Sequence, residues 1–168
     1  MNIAIFPLEK IIIDGIEICF GMNQSAVERV IGKSICVGKR HYYFNDEMAI
    51  DYRNNKVEFI EFLGGHDGKL QPKIYGRNVF KTKADELYDI LKEKNKGIIG
   101  DNEGGYSYQF PNISIGVYRE AIPASIEEMI EEAENSGDPM SEEDIEDEMK
   151  RANYWATIGV GSIGYFKI

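Results

Sequence analysis

The stretch 20–62 decides how this chain is read: FGMNQSAVERVIGKS (20–34), RHYYF (40–44) and MAIDYRNNKVEFIEF (48–62). It is echoed by FKTKADELYDILKEK (80–94), YSYQF (106–110) and ISIGVYRE (113–120). At an offset of sixty, Phe20 falls on Phe80, Val27 on Leu87, Val30 on Ile90 and Ile31 on Leu91. The offset becomes sixty-six at Phe44/Phe110, so about six residues around 97–105 enter the second copy. It drops to sixty-five at Met48/Ile113 and Ile50/Ile115, which predicts a turn one residue shorter there. Two amphipathic helices can align by chance; the strand pair after each helix favours an internal repeat.

Local signals fill in the elements. Asn2–Phe6, Lys10–Ile13 and Glu17–Phe20 read as extended, with Asp14-Gly15 as a turn. Asn23 is placed to cap a helix whose apolar face is Ala26, Val27, Val30 and Ile31, and Gly32 suits its C-terminal end. Strands follow at 40–44, 47–53 and 56–62, the last two joined at Asn54-Asn55. The polar, glycine-rich segment 64–76 reads as a connector. A second helix over 83–94 turns Ala84, Leu87, Ile90 and Leu91 inward, and strands at 106–110 and 113–118 follow. Ser125 with Glu128 forms a capping box for a third helix, carrying Ile126, Met129, Ile130 and Ala133. Ser141 opens a fourth, with Ile145, Met149 and Ala152 on one side, before a delayed strand at 154–161 and a tail.

The fold expected is α+β: a tandem α-β-β-β repeat forming one antiparallel sheet with helices on one face, plus an inserted acidic helical hairpin. All of it belongs to a single domain, 1–168, of a length that buries a proper core. Repeat one spans about 16–63, repeat two about 77–119 plus 153–167, and the acidic insertion about 123–152.

FGMN (20–23), Ile31-Gly32, Tyr42-Tyr43 and Asn55-Lys56-Val57 together resemble the repeat of the β-lactamase inhibitor protein-like superfamily. That superfamily includes the small lipoprotein of the outer-membrane barrel assembly machine. Its pattern is Gly-Met-Thr, a helix ending in Leu-Gly, an aromatic strand, and a strand pair closing on Gly-Lys-Val. The second copy matches more loosely, with Lys81-Thr82-Lys83 in place of the Gly-Met-Thr turn. The resemblance implies a non-catalytic module that holds a protein partner on the concave face of its sheet. Small acidic α+β chains of this type also resemble immunity proteins of bacterial toxin systems.

Net charge is −10, yet residues 1–126 carry only −1. Twelve carboxylates lie between Glu127 and Glu148, and only Lys150, Arg151 and Lys167 follow. That distribution disfavours nucleic acid, because phosphate binding needs clustered cations. No apolar run is long enough to span a membrane, and MNIAIFPLEK lacks the basic start of a signal peptide. The expected location is cytoplasmic, with Cys19 and Cys36 as reduced, buried thiols.

Chemistry leaves few traces. His41 and His66 have no Cys or His at ligand spacing, and EEDIEDE (142–148) lacks the spacing and glycine of a calcium loop. GVGSIG (159–164) precedes no helix and no Lys-Ser/Thr, so close strand packing explains its glycines better than a phosphate loop. No catalytic residue, metal ligand or cofactor is expected. Two surfaces remain: strand tyrosines, among them Tyr43, Tyr52, Tyr108 and Tyr118, and the acidic hairpin with Glu142, Glu143, Asp144 and Asp147. Outward tyrosines suit an interface, and packed carboxylates repel one another until a basic partner arrives; a solubilising face is the plainer alternative. The expected partner is another protein, a basic toxin domain, with a non-toxin assembly partner as the alternative; an enzyme is the third class weighed. Oligomeric state is not legible.

Overall fold

The computed structural model describes residues 1–168 and is an α+β fold of four helices and two sheets. Three short N-terminal strands, β1 (Ile3–Phe6), β2 (Lys10–Ile13) and β3 (Ile16–Cys19), lead into α1 (Gln24–Ile31). Asn23 caps it: its side-chain oxygen accepts from the Ala26 amide, and Gly32 ends it at φ 94°. Strands β4 (Ile35–Val37), β5 (Arg40–Tyr43), β6 (Met48–Arg53) and β7 (Lys56–Phe62) follow as successive antiparallel neighbours. The segment 64–76 is not merely a connector. It contains β8 (Pro72–Ile74), which pairs in parallel with β1, and leads into β9 (Arg77–Asn78). Then come α2 (Ala84–Asn95), β10 (Ser107–Phe110), β11 (Ile115–Tyr118), α3 (Pro123–Asn135), α4 (Glu142–Asn153) and β12 (Thr157–Gly161).

One sheet runs β3-β2-β1-β8-β9 and the other β10-β11-β12-β7-β6-β5-β4. The chain therefore builds two sheets where the repeat alone led us to expect one. The alternating isoleucines Ile3, Ile5, Ile11, Ile13 and Ile18 of the smaller sheet are buried with Ile50, Ile60, Phe62, Ile158 and Val160 of the larger. Val27 of α1 and Leu87 and Leu91 of α2 belong to that same cluster. Val30, expected inward, is 43% exposed.

Two local readings are corrected. Tyr43 lies opposite Met48 and Phe110 opposite Ile115, so both hairpins turn over four residues, 44–47 and 111–114, with no shorter turn in the second. Phe44 is thus a turn residue and not the counterpart of Phe110. The third helix starts earlier than Ser125, with Pro123 in its first turn. Proline suits that position because its missing N–H would have no helical partner. Ser125 sits inside the turn, where its hydroxyl oxygen accepts from the Ile122 amide at 3.2 Å.

Candidate functional site

In the large sheet the pleat sorts the aromatic residues, since successive side chains point to opposite faces. Ile50, Ile60, Phe62, Ile158 and Val160 occupy the core face. Register places His41 and Tyr43 with them, and Arg40, Tyr42, Ala49, Asp51, Phe59 and Glu61 on the other face. Tyr43 is buried at 4% and its hydroxyl lies 2.7 Å from that of Tyr52. It is a core residue and no surface anchor. Tyr52 keeps the side of Ile50 and Tyr43, where its ring meets His41 edge-on at 5.1 Å; the β-bulge beside it takes up Glu58 of β7. Burial raises the pKa of both phenols, so both stay protonated. Tyr108 packs against Tyr88 and Trp155, half-buried on the core side. Of the four predicted tyrosines only Tyr118, 40% exposed, is an open outward residue.

The outward face has its own layer, which sequence reasoning missed. Arg40 bridges Asp51 (3.0 Å) and Glu61 (2.6 Å), and its guanidinium lies over the Phe59 ring. Phe59 stacks on Tyr165 at 4.6 Å, and Phe166 completes the aromatic group edge-on. These rings occupy the space above Gly116, Gly159 and Gly161, where any Cβ would collide with Phe166, Phe59 or Tyr165. Gly159 and Gly161 thus serve close packing, with the C-terminal tail laid over the sheet, whereas Gly164 has open space around it and serves a turn at φ 77°. The relevant signal was Phe59 opposite Gly161, with Gly159 two residues along on the same face, once the strands are paired.

The acidic hairpin enters between β11 and β12. Helices α3 and α4 share a small core of Ala121, Ile126 and Ala152, flanked by Ile130 and Met149. Ser141 caps α4, its oxygen accepting from the Asp144 amide at 3.1 Å. Glu142, Glu143, Asp144 and Asp147 are all exposed. Of the twelve carboxylates from Glu127 to Glu148, only Glu148 lies within ion-pairing distance of a cation, Arg151 at 3.8 Å. Both cations of α4 turn toward the body. Lys150 reaches Asp67 at 2.9 Å, and Arg151 also reaches Glu120 at 3.5 Å.

Between hairpin and body lies an open cleft of about 380 Å³. His66, Asp67, Lys150, Arg151, Tyr154 and Trp155 are among its lining residues. Hydrogen bonds from His66 and Lys150 hold the Asp67 carboxyl at about 2, below its usual range. The His66 ring lies 4.5 Å from that of Tyr154, whose face is also covered by Lys83 at 4.6 Å. Gln71 ties this loop together by donating to the carbonyl oxygens of Gly65 and Gly68. The cleft offers no free cation, because Lys150 and Arg151 already have acidic partners.

The cysteines depart from expectation. Both are free thiols, Cys19 half-buried and Cys36 exposed on β4. No group of three or more His, Cys, Asp or Glu side chains is arranged to hold a metal ion, and no helix is long and apolar enough to cross a membrane. No protein-family model, no curated protein and no solved structure matches this chain.

Proposed function

We propose that this chain is a cytoplasmic protein-binding inhibitor, an immunity protein that neutralises a basic bacterial toxin domain. The carrying observation is the hairpin: a capped pair of helices presents unpaired carboxylates outward while its own cations are committed to Asp67 and Glu120. Such a surface raises the encounter rate with a basic partner. Tyr118, on the open face of β11, supplies an anchor beside it.

The fold reading behind this is a tandem repeat in one domain, related to the β-lactamase inhibitor protein-like superfamily. Strand register supports it. Matching the two hairpins pairs Tyr43 with Phe110, Met48 with Ile115 and Ile50 with Val117. Continuing inward pairs Phe62 with Val160 and Ile60 with Ile158. The ladder joining the halves sets Ile158 opposite Phe62 and Val160 opposite Ile60, as a two-fold axis between β7 and β12 requires. The quoted motifs also meet: Gly21 donates to the Val57 carbonyl at 3.0 Å, and Val57 to that of Met22 at 2.8 Å.

The test uses the full chain as bait in its native host, with mass spectrometry of what it captures. The expected catch is a basic protein that is toxic when expressed alone and harmless with this chain. Changing Glu142, Glu143, Asp144 and Asp147 to Lys should slow association with it by about ten-fold and flatten its salt dependence. A partner that is neither basic nor toxic, bound equally well by the charge-reversed protein, would sink this reading in favour of an assembly adaptor.

A further inference from the structure

The outer strand β4 ends the large sheet with a free edge, and Ile35, Cys36 and Val37 are all exposed on it. A two-residue turn at Gly38-Lys39 brings Cys36 opposite His41. The Cys36 Sγ lies 3.8 Å from His41 Nε2 and 3.6 Å from the Gly38 carbonyl oxygen. On the far side of the ring, His41 Nδ1 lies 2.9 Å from Ser34 Oγ, which is itself 2.9 Å from Glu28 Oε1.

Followed outward from Glu28, these contacts assign the protons as far as the imidazole, and the Cys36 S–H has two acceptors, His41 Nε2 and the Gly38 carbonyl oxygen. Hydrogen bonds from Lys33, Gln24 and Ser34 keep the Glu28 carboxyl ionised, with its pKa lowered to about 2. An ionised carboxylate only accepts, so the Ser34 hydroxyl donates to Glu28. The Ser34 oxygen then accepts from His41 Nδ1–H, which leaves the lone pair of Nε2 facing the Cys36 sulfur. The edge-on Tyr52 ring and the Ser34 contact hold the imidazole in that plane. Of the other charged groups nearby, Lys33 is paired with Glu28, and Arg40, on the opposite face, with Asp51 and Glu61; Lys39, exposed in the turn itself, has no acidic partner. A nucleophile, a base within reach and a third group orienting the base form the arrangement that activates thiols elsewhere.

We infer that Cys36 is a nucleophilic thiol that undergoes exchange with small disulfides, with His41 as the acceptor of its proton. In that step Sγ attacks one sulfur of the disulfide, its S–H proton passing to His41 Nε2. The disulfide S–S bond breaks as the new one to Cys36 forms. The departing thiolate leaves with the electron pair and recovers the proton from His41. Cys36 is oxidised, the released thiol is reduced, and the disulfide is the only oxidant needed. Ser34 and Glu28 are positioning residues.

The probe is dithiodipyridine, an uncharged disulfide, used on the intact protein with release of its chromophoric thiol followed in time. Subtracting the trace of Cys36→Ser isolates Cys36 from Cys19, and mass spectrometry places the adduct. The expected result is reaction about ten-fold or more faster at neutral pH than free cysteine. His41→Gln should bring the rate down to that of the free thiol, and Ser34→Ala should lower it and alter its pH profile. A wild-type rate no greater than that of free cysteine overturns the inference and needs no variant. So does an unchanged rate in a His41→Gln protein with a wild-type circular dichroism spectrum.

Discussion

The Arg119 guanidinium donates from Nη1 to the main-chain oxygen of Ala152 at 2.9 Å, tying the end of β11 to the last turn of α4. The side chain is buried, its Nε donates to the Gly105 carbonyl at 2.9 Å, and its plane lies over the Trp155 ring. A cation at a helix C-terminus meets both orphan carbonyls and the negative end of the helix dipole. The acidic insertion is thereby pinned to the sheet by a group outside itself.

Arg119→Ala should therefore destabilise the protein by about 1.5–3 kcal/mol, since two buried carbonyls lose a charged donor. Arg119→Lys should recover only part of this, because an ammonium cannot reproduce the planar fork that serves both oxygens. Urea unfolding of the three proteins measures it; equal midpoints would show that the tie carries no stability.

Leu87 tests the core face of α2. It is fully buried in the main cluster, so Leu87→Ala should cost about 2–5 kcal/mol in denaturant unfolding. The exposed Val30 of α1, which sequence alone would equate with Ile90 of α2, should tolerate Val30→Ala with a change below about 0.5 kcal/mol.

Gly159 tests the aromatic layer. Its φ lies outside the left-handed range, so a side chain there meets a steric clash and not backbone strain. The added methyl of Gly159→Ala drives into the Phe59 ring and must part it from Tyr165. A cost of about 1–3 kcal/mol is expected, with faster hydrogen exchange at the Tyr165 amide, which now bonds to the Ser162 carbonyl at 3.0 Å. An unperturbed Tyr165 amide would mean that the tail holds without the stack.

Glu28 gives a pH dependence with a definite sign. Its carboxyl is lowered from 4.5 to about 2 in the folded state, mainly by Lys33 and then by Gln24 and Ser34. A depressed carboxyl contributes stability that is fully present above its unfolded value and is lost as pH falls through the folded one. The stability difference between wild type and Glu28→Gln should thus shrink between about pH 4.5 and about pH 2. A difference that stays constant over that window would place the group's worth in packing and not in charge.

Local patterns were legible where local chemistry sets them. Asn23 and Gly32 delimit α1, and the spacing of Ala84, Leu87 and Leu91 marks the buried side of α2. What escaped depends on partners distant in sequence. Strand β8 exists because it lies beside β1, some seventy residues away, and three residues offer no period to detect. The bulge at Glu58 of β7 shifts the parity that alternation assigns, so Val57 is buried with Ile60 although Phe59 faces outward, and no residue type there announces it. The Cys36–His41 pair is hidden for a smaller reason: the three residues of β4 offer no period, and only the tight turn at Gly38-Lys39 folds 36 onto 41. Charge was easy to count in 127–148, but its outward display depends on Lys150 and Arg151 finding acids elsewhere.

The position of β12 carries a consequence for assembly of the chain. It lies between β11 and β7, yet it follows every other strand of that sheet in the sequence and is preceded by the whole acidic hairpin. During synthesis from the N-terminus, β11 and β7 must both wait as open edges, each with unpaired amides and carbonyls. The two halves can be zipped together only when this last strand emerges and makes both ladders at once. Until then the nascent chain is two unjoined half-sheets, and the carboxylates of 127–148 have already left the ribosome. Like charge on every copy then discourages edge-to-edge association during the interval when the edges are bare.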